Sequence, residues 1–235
     1  MYFKMKAILL HHAGGDKYAF KNIQQWLLPE FESIAIELPG RSDRFSEPLL
    51  ADMHAITEDI FNQIKNELND DYFFVGISMG TLVAYLLTHK IKEKNLPLPK
   101  HLFLASRLSP DSYYNEPSVR NTSSDEFWKI VIQYDGLPQG LIEHKELREF
   151  YEPILRADFE ALEKYNISHQ PKEKLNVPVS ILIGKNDTRN ITMQTAQDWN
   201  RHFNNEILFK EFDGGHFFVY ENIAVAQYIK STLLS

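Results

Sequence analysis

Apolar positions along this chain fall into two alternating textures. Short runs of strand length at 6–10, 33–38, 72–76, 101–105, 178–184 and 207–212 are separated by longer stretches with helical spacing near 17–28, 52–68, 79–92, 191–203 and 222–233. Strand followed by helix, repeated, predicts an α/β fold with a mostly parallel sheet and helices on both of its faces. Strands of such a sheet are buried on both sides. Ala7-Ile8-Leu9-Leu10 and Val179-Ser180-Ile181-Leu182-Ile183 largely have that character.

The rhythm breaks at about 109–175, where turn-rich text gives way to helical periodicity with no good strand. This stretch reads as an insertion into a single domain of residues 1–235. Within it Leu147, Phe150, Tyr151, Ile154, Leu155, Phe159 and Leu162 recur at i, i+3, i+4 spacing, with Pro153 kinking the helix or opening its second half. That greasy face is either core or the inner face of a lid over an acyl-sized pocket.

Composition narrows the chemistry. With 235 residues and 43% hydrophobic side chains the chain can bury a real core, and 25 Lys+Arg against 32 Asp+Glu leave a net charge of -7. That sign disfavours a nucleic-acid partner. The absence of cysteine removes disulfides, thiolate zinc sites, iron–sulfur clusters and cysteine nucleophiles. No apolar stretch approaches a membrane span and the N-terminal run is too short for a signal peptide, so a cytoplasmic protein with no membrane partner is expected. The N-x-[ST] matches at Asn121, Asn166, Asn186 and Asn190 then have no secretory route to make them glycosylation sites.

Gly76-Ile77-Ser78-Met79-Gly80 fits G-x-S-x-G, a pattern that arises by chance in roughly one chain of this length in twelve. Context gives it weight. A buried-strand text, Asp71-Tyr72-Phe73-Phe74-Val75, precedes it and a helical text, Thr81 to Leu87, follows, which is the strand–turn–helix of a nucleophile elbow. Ser78 is the candidate nucleophile, and its flanking glycines avoid collisions with a neighbouring strand or helix. A serine needs a base, and the base needs an acceptor on its second nitrogen. The chain order of such folds is Ser, acid, His. Asp187 lies just past the strand at 179–184, and His216 lies in the glycine-flanked loop after the last strand, both at carboxyl ends where open parallel sheets keep their sites. Asp213 is the rival acid, but it precedes the histidine too closely in sequence.

The oxyanion of a tetrahedral intermediate needs donors. The N–H of Met79 is one, and the loop Leu10-His11-His12-Ala13-Gly14-Gly15 after the first strand offers Ala13 N–H as the second. Gly14-Gly15-Asp16-Lys17 lacks P-loop spacing. His11 and His12, adjacent on a strand end, point opposite ways and do not make a metal pair.

Taken together these residues resemble the type II (external) thioesterases that accompany nonribosomal peptide and polyketide synthases, of the gramicidin-biosynthesis type. The resemblance spans nearly the whole chain. It rests on His12-Ala13-Gly14-Gly15, on Glu37-Leu38-Pro39-Gly40-Arg41 with Arg44 and Phe45-Ser46-Glu47-Pro48, and on the elbow at Ser78. It rests also on Leu155-Arg156-Ala157-Asp158-Phe159-Glu160 and Gly214-Gly215-His216-Phe217-Phe218. The family commonly has Pro where this chain has His11, and His where it has Ile77. The resemblance implies an α/β-hydrolase fold with a helical lid and a triad of Ser78, Asp187 and His216. It also implies hydrolysis of acyl thioesters on the phosphopantetheine arm of carrier proteins.

That chemistry needs no cofactor and no metal, which agrees with the missing Cys, H-E-x-x-H and dinucleotide motifs. Because carrier proteins are often acidic and this chain is too, steering is poor, and docking is expected to be weak and transient, through a local patch near Arg107, Arg120 or Arg156. A monomer is expected. A small-ester carboxylesterase or lipase, a non-catalytic binding module and an acyltransferase or cyclase are the competing readings on the same scaffold.

Overall fold

The computed structural model describes residues 5–69, 71–112, 118–133, 137, 139–165 and 173–234; of the positions singled out above, Asn166 lies outside them. Six strands, β1 (Lys6–Leu10), β2 (Glu32–Ala35), β3 (Tyr72–Ile77), β4 (Leu102–Ala105), β5 (Val179–Gly184) and β6 (Ile207–Phe212), form one sheet. Their order is β2-β1-β3-β4-β5-β6, and every neighbouring pair is parallel.

Burial on both faces explains the strand texts. β3 and β5 are buried at every position, whereas β6, at the edge, is buried only at Ile207 and Phe212. Successive side chains go to opposite faces. Ile8, Leu10, Phe74, Leu104 and Ile181 therefore join one core, with α2 (Met53–Ile64) and α3 (Met79–Glu93) packed over it. Ala7, Leu9, Phe73, Val75 and Phe103 join the other, under α1 (Lys21–Leu27) and two C-terminal helices.

Between β4 and β5 the chain forms α4 (Ser124–Val131), α5 (Gln139–Glu143) and α6 (Lys145–Tyr165). Ser123 caps α4 in a reciprocal box with Glu126. α6 runs as one helix through Pro153, and its apolar stripe divides there. Before the proline, Leu147 and Phe150 are exposed; after it, Ile154, Leu155, Ala157, Asp158, Ala161 and Tyr165 are buried. That face is core after the proline and exposed at Leu147 and Phe150 before it. Val119, Phe127, Trp128, Val131, Leu141 and Leu155 make a small satellite core of their own.

Beyond β5 come α7 (Met193–Ala196), which leads straight into a 3-10 turn at Gln197–Arg201, and beyond β6 come α8 (Phe218–Glu221) and α9 (Ile223–Leu234). β1 sends the chain to β2 on one side, while β3 lies on its other side. That reversal opens a crevice at the carboxyl ends of β1 and β3. The loop after β1 and the turn after β3 meet there.

Candidate active site

Ser78 occupies the turn between β3 and α3 with φ 53° and ψ -111°, a backbone conformation that a non-glycine residue adopts only under strain. The turn is tight enough to dictate its glycines. A Cβ on Gly76 would lie 2.4 Å from the carbonyl oxygen of Gly80, and one on Gly80 would lie 2.0 Å from that of Leu10. Thr81 Oγ1 lies 2.8 Å from the carbonyl oxygen of Gly76 and 2.7 Å from that of Ala105 and shares its one proton between them, tying the elbow to the end of β4.

The same end of β4 anchors the histidine loop. Ser78 N–H donates to Ala105 O at 2.9 Å, and the next residue, Ser106, donates its Oγ–H to His216 O at 2.6 Å. Nδ1 of His216 lies 2.8 Å from Oδ2 of Asp187, whose other oxygen accepts the Arg189 N–H at 2.9 Å. An ionised carboxylate can only accept, so Nδ1 carries the proton and Nε2 presents its lone pair as an acceptor. A guanidinium nitrogen of Arg189 faces that Nε2 at 3.4 Å. Ser78 Oγ makes no hydrogen bond among the described residues, as is common before substrate tightens a catalytic contact. Asp213, the rival acid, is largely exposed and pairs with Lys185 at 2.6 Å, away from His216.

In the loop after β1, Gly15 N–H closes a turn onto His12 O at 3.0 Å and Gly14 N–H donates to Asp158 of α6 at 2.7 Å. Ala13 N–H and Met79 N–H are left without a partner among the described residues. They are the amides available to an oxyanion. Gly14 takes φ +77°, and a Cβ there would meet Leu155 of α6 at 2.3 Å.

The two histidines before that loop diverge. His11 is buried and donates from Nδ1 to His12 O at 2.8 Å; burial, then the charge of Arg41, holds its pKa down to about 3. His12 Nδ1 meets Tyr220 Oη at 2.7 Å, and desolvation with the nearby His11 and His216 rings lowers it also to about 3. Among the described residues no cluster of three or more His, Cys, Asp or Glu side chains could hold a metal. No helix of the described residues is long and apolar enough to cross a membrane.

Several residues at the site carried no separate signal for a role in the sequence. Arg189, Ser106 and Tyr220 are visible only through the fold. Asp158 did leave a trace, a charge at the i+4 position from Ile154 and three before Ala161, inside the buried stripe of α6. Of the three arginines expected near a docking patch, Arg107 and Arg156 are engaged internally and Arg120 is exposed. Arg107 is buried; Arg156 bonds Glu152, Val119 O and Thr122 O and lies over the Phe127 ring; Arg120 reaches Glu160 at 4.0 Å.

Comparison with known proteins shows the family. A family model described as thioesterase domain matches residues 6–233. The gramicidin S biosynthesis protein GrsT of Aneurinibacillus migulanus is 28% identical over 219 residues, covering 93% of this chain and 84% of that protein. Thioesterase PikA5 of Streptomyces venezuelae is 27% identical over 216 residues, covering 92% and 75%. The solved structure of the RedJ thioesterase from the prodiginine pathway of Streptomyces coelicolor superposes with a TM-score of 0.87 at 24% identity, over 97% of this chain and 85% of that one. The fold is that of the α/β-hydrolase-like thioesterases.

Proposed function

This chain belongs to the thioesterase domain family and hydrolyses acyl thioesters, and from that premise we propose that its substrates are acyl groups held on the phosphopantetheine arm of carrier proteins in nonribosomal peptide or polyketide biosynthesis. Ser78, His216 and Asp187 form the triad of this reading, with Met79 and Ala13 N–H as the oxyanion donors. The observation that carries it is the sealed Asp187–His216 pair, held by the end of β4 beside the elbow of Ser78.

In that mechanism His216 Nε2 takes the proton from Ser78 Oγ as the oxygen attacks the thioester carbonyl carbon. The carbon–sulfur bond breaks and the pantetheine sulfur leaves, taking up the proton from the His216 imidazolium, which returns the ring to its neutral form. A thiol of pKa about 8.5 departs readily, so its protonation by the imidazolium matters less than for an alkoxide. Water then gives a proton to His216 and its oxygen to the acyl carbon, the acid is released, and the proton returns to Ser78. No cofactor or metal enters any step. Long-range steering between a chain of net charge -7 and an acidic carrier is poor, which favours weak, transient docking. A cytoplasmic monomer suits an enzyme that visits many carrier domains.

The test is hydrolysis of acyl-pantetheine thioesters, free and on a carrier protein, by the wild type and Ser78→Ala. Acid release that vanishes in the variant, with carrier-bound thioester preferred over a matched oxygen ester, supports the proposal. Faster cleavage of the oxygen ester points instead to a small-ester carboxylesterase.

A further inference from the structure

The helix that follows Pro153 reaches the catalytic loop through one buried carboxylate. Asp158 of α6 is wholly buried, and Arg41, from the loop after β2, is buried beside it. The guanidinium bonds the carboxylate through two nitrogens, NH1 to Oδ2 at 3.0 Å and NH2 to Oδ1 at 2.9 Å. Both partners also grip the backbone of the glycine loop. Asp158 Oδ2 accepts Gly14 N–H at 2.7 Å, and Arg41 NH1 donates to Gly15 O at 3.0 Å. Leu155, one helical turn earlier, closes the space that any side chain on Gly14 would need.

We infer that Arg41 and Asp158 are positioning residues for the oxyanion loop, so that the inserted helix α6 is a working part of the catalytic machinery. Three successive amides, at Ala13, Gly14 and Gly15, could each turn toward a developing anion. The fork and the local turn engage the second and third, and the Ala13 N–H is left for the oxyanion. Glycine at 14 makes the loop pliable, and the ion pair restrains it. Stability alone does not account for such a pair, because a well-packed apolar pair in its place is often as stable or more so. Both ends of this fork instead finish on the backbone of one loop, which an apolar pair cannot hold. The inference rests on the serine-hydrolase reading above.

The experiment compares the wild type, Asp158→Asn, Arg41→Lys and the double variant Arg41→Met/Asp158→Leu with two ligands built on the same acyl-pantetheine frame. A trifluoromethyl ketone adds Ser78 and places an oxyanion on the loop; a thioether binds without reacting. For Asp158→Asn we expect kcat to fall about 10²–10³-fold, the loss typical of one oxyanion donor. Ketone affinity should fall in parallel, with KM and thioether affinity within about threefold of wild type. Arg41→Lys, which keeps the charge but not the fork, should fall between. The double variant keeps the helix packed without the grip; a wild-type melting temperature with kcat still depressed is the expected result, and recovery of kcat overturns the inference. Equal losses of ketone and thioether binding also overturn it, as do losses of neither. Ser78→Ala keeps the two readings apart. If that variant retains the wild-type rate, the serine mechanism itself has failed; if it is inactive while Asp158→Asn keeps full ketone affinity, only the positioning role has failed.

Discussion

Oδ2 of Asp187 and Nδ1 of His216 stand 2.8 Å apart with both side chains closed to solvent, and this one contact fixes which nitrogen of the ring is basic. Asn at 187 would keep an oxygen for the Arg189 N–H and turn its amide nitrogen toward the ring. Nδ1 must then accept, the proton moves to Nε2, and the ring can no longer take one from Ser78. Asp187→Asn should fold normally and lose about 10⁴-fold in kcat with KM little changed. Steady-state kinetics on a thioester with the melting temperature alongside checks this; a loss under tenfold sinks the assignment of Asp187.

Ser78 sits at φ 53° and ψ -111°, and strain of this kind costs about 1–3 kcal/mol. Glycine removes the clash that its Cβ causes, while alanine keeps it. Against that gain stands the greater freedom of glycine in the unfolded chain, about 0.4–1 kcal/mol. Both variants should be inactive, with Ser78→Gly the more stable by about 1 kcal/mol, or about 2–4 °C in Tm for a chain of this size. Equal melting temperatures for the two variants would show that the elbow stores no strain at this residue.

What was legible in the sequence was what local periodicity or a fixed motif specifies. β1 and β6 have the bounds that their apolar runs give, and the order serine, acid, histidine places all three at one edge of the sheet. The region near 191–203 departs from expectation. It reads as one helix, yet only Met193–Ala196 is α-helical before a 3-10 turn takes over. Ala196, Trp199 and His202 are all buried, and a step of three residues is the period of the tighter helix. A window of sequence does not separate spacings of 3.0 and 3.6 over so few turns. β2 ends at Ala35 rather than 38 because it is an edge strand, with β1 its one neighbour, and β1 ends as the glycine loop begins. The contacts of Asp158 with Arg41 and of Arg189 with His216 join separate segments of the chain, so the charge inside the α6 stripe does not by itself name its partner.

A second consequence of the elbow is steric. The Cβ of Gly80→Ala would stand 2.0 Å from the Leu10 carbonyl oxygen and 2.5 Å from its carbon, and both are backbone atoms of a central strand. Neither can move without disturbing the ladder between β1 and β3. Gly80→Ala should therefore lose more than about 4 kcal/mol, a large part of the stability of an ordinary domain. Gly140, whose Cβ would meet nothing within 4 Å, is the control. Gly140→Ala should be soluble and melt close to the wild type, and comparable expression and Tm for the two variants would contradict the steric account.

Acid should destabilise the fold through its buried histidines before it protonates many carboxylates. His101 is buried, stacks on Phe103 and bonds Ser180 Oγ at 2.8 Å through Nε2; burial pushes its pKa down to about 4. His11 lies lower still, at about 3. In the unfolded chain both titrate near 6.5. Above that pH both states hold these rings neutral and stability is full. As pH falls from about 6.5 toward 4, the unfolded chain takes up protons that the folded one refuses, and each such ring removes up to about 1.4 kcal/mol per pH unit. Gln at 101 can still bond Ser180 but cannot ionise. Its packing against Phe103 is poorer, so the informative quantity is the change between pH 8 and pH 5 in urea unfolding, not the absolute stability. That change should be smaller in His101→Gln than in the wild type by up to about 2 kcal/mol. An identical pH dependence in both proteins would mean that His101 titrates alike folded and unfolded, and that its burial is relieved by water or motion.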